Sequence, residues 1–231
     1  MSNPVDFGLD SIELGVGDHL CALYAGSVQR DRILIPFLAE GLGAGHKCIC
    51  VVDGTEPAEI VVALESEIVI DGDRPGGTGK QLDVIRASDI YLRSGDFSAA
   101  EIIGSWKAKI SEVMYDGRFD VVCAAETWSQ RDVVPDMHEL LTLESEMNRY
   151  LPLYPQMILC MYDIERFGGG LVVDLLKTHP RILMGKQVLD NPYCLTPDEL
   201  LAVTQDQERD VAAAKRQEAA EWYYAVTTGS T

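Results

Sequence analysis

The sequence predicts an α/β fold in three layers, with a mainly parallel sheet flanked by helices. Two observations support this prediction. Apolar, strand-like runs alternate along the chain with amphipathic helical patterns, which is typical of a parallel sheet covered by helices. Several of these runs, such as CICVVD at 48–53 and QMILCMYD at 156–163, are apolar almost throughout, as expected for strands buried on both faces.

The predicted elements follow one another in a regular order. Strands, the last of them a single strand or a hairpin, are predicted at 19–24, 48–53, 81–87, 119–128, 156–163 and 181–194. Helices are predicted at about 28–42, 58–64, 98–115, 137–151, 168–179 and 196–224. Ser98 with Glu101 and Thr196 with Glu199 match the capping box that begins a helix. The glycines and proline of DGDRPGGTGK at 71–80 predict a loop.

The composition disfavours several classes of partner. The chain has 37 acidic and 19 basic residues and a net charge of −18, so it repels nucleic-acid phosphates and anionic membranes. It has neither a signal-peptide pattern nor a run approaching the ~18 apolar residues that a membrane span needs. Its six cysteines are too few for a disulfide scaffold. We therefore expect a cytoplasmic protein with reduced thiols that binds neither nucleic acid nor membrane directly.

The stretch PGGTGK at 75–80 is similar to the end of a nucleotide-binding loop. That motif requires glycine at the position of Arg74 and serine or threonine at the position of Gln81. It also requires a following helix whose N-terminal amides bind phosphate, and here a strand is predicted instead. The stretch therefore predicts an ordinary surface loop.

His19 and Cys21 raise the possibility of a metal site or a nucleophile. Residues two apart on a strand face the same side, and Cys48, Cys50 or His179 could complete a ligand set. The spacing lacks the paired cysteines or histidines of known zinc motifs, so we expect no metal ligand and no cofactor. A metal-dependent enzyme, or one with Cys21 as nucleophile and a histidine as base, remains an alternative.

The position of the polar residues favours a binding pocket. Ligands of an open parallel sheet bind outside the carboxyl ends of its strands, where this chain carries polar and aromatic residues. A mostly apolar pocket with a few fixed polar groups suits a small organic molecule. The candidate binding residues are His19, Cys21, Tyr24, Asp53, Glu126, Trp128, Tyr162, Asp163 and His179. Alternatively, Glu126 and Asp163 cap neighbouring loops and the rings belong to the core.

Several stretches together resemble the MEDS domain, a methanogen and methylotroph sensory domain typified by a dichloromethane-responsive repressor. They are GDHLCALYAGSVQRDR at 17–32, AETW at 125–128, ESEMNRYL at 144–151, CMYDIERFGGG at 160–170 and NPYCLTPDEL at 191–200. The resemblance divides the chain into an N-terminal extension at 1–16, a sensory domain at 17–201 and a C-terminal helical tail at 202–231.

The resemblance implies a non-enzymatic sensor of small hydrocarbon derivatives on a fold related to the RecA and KaiC ATPases. In those ATPases the phosphate loop follows the first strand, where this chain has ALYAGSVQRDR at 22–32 without Gly-Lys-Ser or Gly-Lys-Thr. A degenerate phosphate loop without ATP hydrolysis is therefore expected. Glu126 then stands in the place of a magnesium-associated carboxylate. A nucleotide-binding module that lacks the standard loop is the alternative.

The resemblance also bears on how the signal leaves the domain. Family members are often fused to DNA-binding, PAS or histidine-kinase-type modules, and these 231 residues contain none of them. We therefore expect a separate regulatory partner, a kinase or a transcription regulator, that contacts the helical tail from Leu200 to Tyr224. A homo-oligomer is compatible with the sequence. A pure interaction protein, acting through its acidic surface and tail, is a further alternative.

Overall fold

The computed structural model describes residues 14–67, 81–92, 95–117, 119, 122–184 and 187–228. Most of the predicted N-terminal extension and the predicted loop at 71–80, including PGGTGK, lie outside the described residues.

The described elements agree closely with the predicted order. The strands are β1 (His19–Tyr24), β2 (Lys47–Val52), β3 (Leu82–Arg86), β4 (Val122–Trp128), β5 (Gln156–Asp163), β6 (Arg181–Met184) and β7 (Gln187–Asp190). The helices are α1 (Gly26–Gly43), α2 (Pro57–Glu67), α3 (Ala87–Tyr91), α4 (Ala99–Asp116), α5 (Met137–Tyr150), α6 (Gly169–Thr178) and α7 (Pro197–Thr228). A short 3₁₀ turn, Leu151–Leu153, follows α5.

The seven strands form one sheet in the order β3-β2-β4-β5-β1-β6-β7. All neighbouring strands are parallel except β6 and β7, which form an antiparallel hairpin. The predicted mainly parallel α/β sheet is confirmed, and 181–194 contains the hairpin rather than a single strand.

Helices cover both faces of the sheet, as the three-layer prediction requires. Alternate residues of a strand point to opposite faces. The first face, which includes Ile49 and Ile158, packs against apolar residues of α3, α4, α5 and α6. The second face, which includes Cys48 and Cys50, packs against α1 and α2. Side chains with odd numbers in β1 and even numbers in β4 and β5 therefore belong to the first face.

The two predicted capping boxes have different outcomes. At α7 the Thr196 N–H donates to Glu199 Oε2 at 2.8 Å and the Glu199 N–H donates to Thr196 Oγ1 at 3.3 Å, so that box is confirmed. At α4 the prediction is wrong, because the Ser98 side chain makes no capping bond. The Ala99 N–H instead donates to Glu139 Oε2 at 2.8 Å. A carboxylate from the first turn of α5 thus replaces the local cap.

The turn between β1 and α1 is short. One residue, Ala25, separates the strand from the helix, and its N–H donates to Gln29 Oε1 at 2.9 Å. A phosphate-cradling loop needs several residues at such a turn. The absence of ATP hydrolysis remains a prediction. Among the described residues, none of the helices is long and apolar enough to cross a membrane.

Asp83 on the edge strand β3 offers a test of side-chain electrostatics in this fold. Its carboxylate lies 2.9 Å from both Lys47 Nζ, which is buried, and Lys109 Nζ. Burial raises the pKa of Asp83, but hydrogen bonds from the two lysines outweigh it and leave the pKa below its ordinary value.

The variant Asp83→Asn is expected to lower the free energy of unfolding at neutral pH by about 1–2 kcal/mol, because it removes the negative charge that Lys47 and Lys109 contact. Since the folded-state pKa is lowered, the carboxylate stabilises the fold above the unfolded-state pKa and this contribution disappears as the pH falls. Urea unfolding across acid pH measures the effect. The control variant is Asp206→Asn, at a side chain that is 73% exposed. It should change the free energy of unfolding by less than about 0.5 kcal/mol. A deficit that persisted in strong acid would contradict this explanation.

Candidate functional site

A cluster of buried polar side chains lies on the first face of the sheet. We call it the histidine cluster, and its members are His19, Glu144, Cys160, Tyr162 and His179. They come from β1, α5, β5 and the residue that follows α6. Each side chain is essentially inaccessible to solvent. Buried polar groups of this kind need partners, because water cannot satisfy them.

Glu144 is at the centre of the histidine cluster. Its Oε2 lies 3.1 Å from His19 Nε2 and 3.3 Å from His179 Nε2. Its Oε1 accepts a hydrogen bond from the Tyr162 hydroxyl. The Cys160 Sγ lies 3.5 Å from His19 Nε2. The two imidazole rings are themselves in contact, with centroids 4.3 Å apart.

The outer nitrogens of both rings are held by oxygen atoms. His19 Nδ1 lies 2.8 Å from Asn148 Oδ1, and Asn148 Nδ2 donates to the Thr178 carbonyl at 2.6 Å. His179 Nδ1 lies 2.9 Å from the Leu175 carbonyl oxygen. These contacts orient both rings so that Nε2 faces Glu144.

Burial has opposite effects on the acidic and basic members of the cluster. Burial raises the pKa of Glu144, but the facing rings of His179 and His19 outweigh it and keep that pKa well below its usual range. Burial, reinforced by His179, lowers the pKa of His19 despite the nearby carboxylate. Burial raises the pKa of the Cys160 thiol, and the charge of Glu144 adds to the effect. The cluster therefore holds an anionic carboxylate beside groups that resist carrying charge.

A second group on the same face surrounds Glu126. We call it the Glu126 group, and it consists of Glu126 with the rings of Tyr91, Phe97 and Trp128. Tyr91 stacks on Trp128 with ring centroids 5.2 Å apart and an interplanar angle of 12°. Phe97 meets both rings edge-on, at 5.8 Å from Trp128 and 6.2 Å from Tyr91. The Tyr91 hydroxyl donates a hydrogen bond to Glu126 Oε1.

The Glu126 carboxyl differs from an ordinary surface carboxylate. Burial raises its pKa to about 8, and the charge of Glu144 acts in the same direction. The hydrogen bond from Tyr91 and the proximity of the Trp128 indole oppose that shift without cancelling it. At neutral pH the group is therefore mainly protonated and is able to donate a hydrogen bond as well as accept one.

The remaining predicted site residues lie elsewhere at the sheet. The Asp53 carboxylate accepts hydrogen bonds from the loop at 129–133 that follows β4. Asp163 accepts from the Glu165 N–H at 3.1 Å. Tyr24 lies on the second face, with its hydroxyl 3.4 Å from the Trp128 carbonyl. Cys21 is buried in the first-face core.

The structure thus brings together only some of the predicted residues. His19, Tyr162 and His179 meet in the histidine cluster, and Glu126 and Trp128 meet in the Glu126 group. Cys48 and Cys50 lie on the opposite face from His19, which contradicts a ligand set that joins them. Ligand binding by any of these side chains remains a prediction.

Sequence reasoning missed Glu144, Asn148, Cys160 and Tyr91. One signal was available for Glu144: it falls on the buried stripe of α5, beside Leu140 and Leu143, where a charged residue is unusual. Asn148 is four residues further on the same helix and therefore shares its face. Cys160 stands in the apolar run QMILCMYD, where cysteine usually behaves as a small hydrophobic residue. Tyr91 begins YLRSGDFS at 91–98, another stretch that resembles the MEDS domain, but nothing in it points to Glu126.

Residues 18–180 match the MEDS family, the methanogen/methylotroph, DcmR sensory domain. The chain belongs to this family. The predicted MEDS resemblance is therefore confirmed, and the family's description gives the chain a sensory or regulatory role. The histidine cluster and the Glu126 group both lie within the MEDS segment, whereas α7 begins after it.

Two similar proteins, a curated relative and a solved structure, place this MEDS protein among known proteins. Transcriptional repressor DcmR from Methylorubrum extorquens (strain DSM 6343 / CIP 106787 / DM4) is 24% identical over 170 residues, which cover 73% of this chain and 60% of DcmR. The chain thus matches less than two thirds of the length of DcmR. The crystal structure of flagellar accessory protein FlaH from Methanocaldococcus jannaschii has a TM-score of 0.44 and 11% identity, with 76% of each chain covered.

Proposed function

We propose that this MEDS protein senses a small organic molecule, of the hydrocarbon-derivative class, and passes the signal to a regulatory partner protein. The Glu126 group is the observation that carries the proposal. It places one buried carboxyl among three aromatic rings, at the carboxyl end of β4. Parallel α/β sheets commonly bind ligands at this edge.

The chemistry of the Glu126 group suits a small molecule with one polar substituent. Aromatic ring faces supply apolar area for a hydrocarbon part. The carboxyl of Glu126 supplies one directional hydrogen bond, which is how a mostly apolar site fixes orientation. We propose that the polar substituent of the ligand takes over the bond that Tyr91 makes with Glu126. Because Tyr91 belongs to the five-residue helix α3, this exchange moves α3.

The proposed output involves α7. This helix packs on α5 and α6, and its described side chains between Gln205 and Glu218 are exposed. An exposed helix of this kind offers a surface for a partner. DcmR is a transcriptional repressor by name, so we propose that the partner of this chain is a kinase or a transcription regulator.

Ligand binding is tested by thermal unfolding of the full chain with a panel of short-chain alcohols, amines and halogenated hydrocarbons. A ligand that binds only the folded state at about 100 times its dissociation constant stabilises it by about 2.7 kcal/mol. For a chain of this size that corresponds to a rise in melting temperature of about 5–10 °C. We expect at least one class in the panel to produce such a rise.

Two tyrosine variants test whether the active compound binds at the Glu126 group. Tyr91→Phe keeps the ring and removes the hydroxyl, so it should alter the affinity for the active compound by freeing Glu126 Oε1. Tyr115→Phe makes the same change at a residue that is 95% exposed and should leave the affinity unchanged. The proposal fails if no compound stabilises the unmodified chain, or if both tyrosine variants bind the active compound as the unmodified chain does.

A further inference from the structure

Four side chains of the histidine cluster direct metal-ligating atoms towards one point. They are His19, Glu144, Cys160 and His179, and their ligating atoms all lie within 4.8 Å of one another. All four side chains are buried, with exposures of 0–1%. This cluster is separate from the Glu126 group and has no part in the proposed ligand binding.

The hydrogen bonds at the outer nitrogens determine where each imidazole keeps its lone pair. His179 Nδ1 lies 2.9 Å from the Leu175 carbonyl oxygen and 3.0 Å from Thr178 Oγ1. The carbonyl can only accept, and the Thr178 hydroxyl donates its own proton to that carbonyl, so His179 Nδ1 carries a proton. The Asn148 amide donates through Nδ2 to the Thr178 carbonyl, which turns Oδ1 towards His19. His19 Nδ1 therefore carries a proton as well. In the neutral form, each ring then directs the lone pair of Nε2 at Glu144.

With two imidazole lone pairs facing one carboxylate oxygen, this arrangement needs a positive charge, either a ring proton or a metal ion. Glu144 Oε2 lies 3.1 Å from His19 Nε2 and 3.3 Å from His179 Nε2. Nε2 of His179 has no hydrogen-bond partner among the described residues, because its contact with Glu144 lacks hydrogen-bond geometry. A buried polar atom without a partner is costly.

Three of the six distances between the donor atoms are close to those of a tetrahedral site. Zinc bonds to nitrogen, oxygen and sulfur are about 2.0–2.3 Å long, so the donors of a tetrahedral zinc site are about 3.3–3.8 Å apart. The contacts of His19 and His179 with Glu144 and of Cys160 with His19 are 3.1, 3.3 and 3.5 Å. The remaining pairs lie within 4.8 Å, so metal binding requires these side chains to draw closer together.

The charges and the outer contacts fit the same interpretation. A divalent ion with the Glu144 carboxylate and a Cys160 thiolate is electrically neutral, which suits a buried position. Histidine ligands of metals donate their other N–H to a carbonyl or amide oxygen, as both rings do here. The Tyr162 hydroxyl holds the second oxygen of Glu144 in the same way.

We propose that His19, Glu144, Cys160 and His179 form a four-ligand site for a divalent transition-metal ion of the zinc class. Four protein ligands leave no open position, which is typical of structural rather than catalytic zinc. The site replaces our expectation from sequence spacing that the chain has no metal ligand. It ties β1 and β5 to α5 and to the end of α6, the two helices on which α7 packs.

The test uses the full chain, stripped of metal by a chelator and titrated with Zn²⁺ or Co²⁺. We expect one ion per chain, and with Co²⁺ a thiolate charge-transfer band together with the strong visible bands of tetrahedral coordination. Asn148→Ala, which removes the outer partner of His19, should weaken Zn²⁺ binding by about 10–100-fold. Cys160→Ser and His179→Gln should weaken it by more than about 100-fold.

Cys50→Ser is the matched control, because Cys50 is equally buried but lies on the second face of the sheet. It should bind Zn²⁺ as tightly as the unmodified chain. The spectrum of the unmodified chain with Co²⁺ decides the question even if a ligand variant does not fold. The site is refuted if that spectrum lacks the thiolate band, or if folded Cys160→Ser retains full Zn²⁺ affinity. Neither result bears on binding of organic molecules at Glu126.

Discussion

Replacing Asp53 with alanine is expected to lower the free energy of unfolding by about 3–5 kcal/mol. The Asp53 side chain is 1% exposed and lies directly after β2. It accepts hydrogen bonds from backbone N–H groups of Ser129, Arg131, Asp132 and Val133, at 2.9, 3.2, 2.7 and 3.2 Å. Alanine leaves these donors without an acceptor in a partly buried loop.

The loop that Asp53 holds contains a conformation that needs support. Gln130 has a φ of 54°, in the left-handed region that is unfavourable for residues other than glycine. The hydrogen bonds to Asp53 on either side compensate for this strain. Losing them should therefore release the loop locally as well as destabilise the whole chain, and amide hydrogen exchange at 129–133 should rise.

Chemical unfolding of Asp53→Ala and Asp53→Asn measures the effect. Asparagine keeps one acceptor oxygen but turns an amide group towards donors, so its cost should lie between zero and that of alanine. Asp206→Ala, on the exposed part of α7, serves as the control and should cost less than about 0.5 kcal/mol. A cost below about 1 kcal/mol for Asp53→Ala would show that the loop finds other acceptors.

Glu126 is expected to make the protein less stable as the pH rises from about 5 to about 8. Its pKa is about 8 in the folded chain and 4.5 as the ordinary value, which applies on unfolding. Between these values the folded state holds one more proton, so unfolding releases a proton and higher pH favours it. The slope is about 1.4 kcal/mol per pH unit, and the total loss is roughly 3–5 kcal/mol.

The variant Glu126→Gln isolates this contribution, because glutamine resembles the protonated carboxyl and does not titrate. The difference in unfolding free energy between the two proteins should increasingly favour the variant as the pH rises. Tyr91, Glu144, Cys160 and Cys50 are titratable groups that interact with Glu126. Chelator-treated protein should be used, so that no metal ion neutralises the charge of Glu144.

Glu218→Gln at an exposed position of α7 is the matched control and should show no comparable pH dependence. The free energies of unfolding of Glu126→Gln and of the unmodified chain are compared at pH 5 and pH 8. If their difference is the same at both values, Glu126 does not titrate in this range. That result would mean that water reaches Glu126 despite the buried aromatic rings around it.

Most of the fold was predictable because its signals are local. The apolar runs at β2 and β5 are buried along their whole length, and this pattern is visible in the residues themselves. The capping box of Thr196 and Glu199 is formed within one turn of α7. Ser98 shows the limit of such reasoning, since Glu139, which replaces it as the cap, comes from another helix.

The residues of the candidate sites likewise divide into those with a local sequence signal and those that only tertiary packing identifies. His19, Glu126, Trp128, Tyr162 and His179 could be named as polar or aromatic residues near strand ends. Asp53 was predicted with them, but in the structure its carboxylate accepts hydrogen bonds from the backbone of the loop at 129–133. Glu144 had one local signal, a charged residue on a buried helix stripe. Cys160 and Tyr91 could not be assigned to a site, because their partners His19 and Glu126 come from distant elements and meet them only when strands and helices pack.

The α/β class, the order of the elements, the MEDS family and the net negative charge could all be predicted from the sequence. Periodicity, length and composition are properties of consecutive residues, so they can be assessed without a structure. Only the tertiary structure decided that two histidines, a carboxylate and a thiol from distant parts of the chain meet around one point. The packing of α5 on the sheet also brings Asn148 to His19 Nδ1, whereas the Leu175 carbonyl contacts His179 Nδ1 locally, from four residues earlier in the chain.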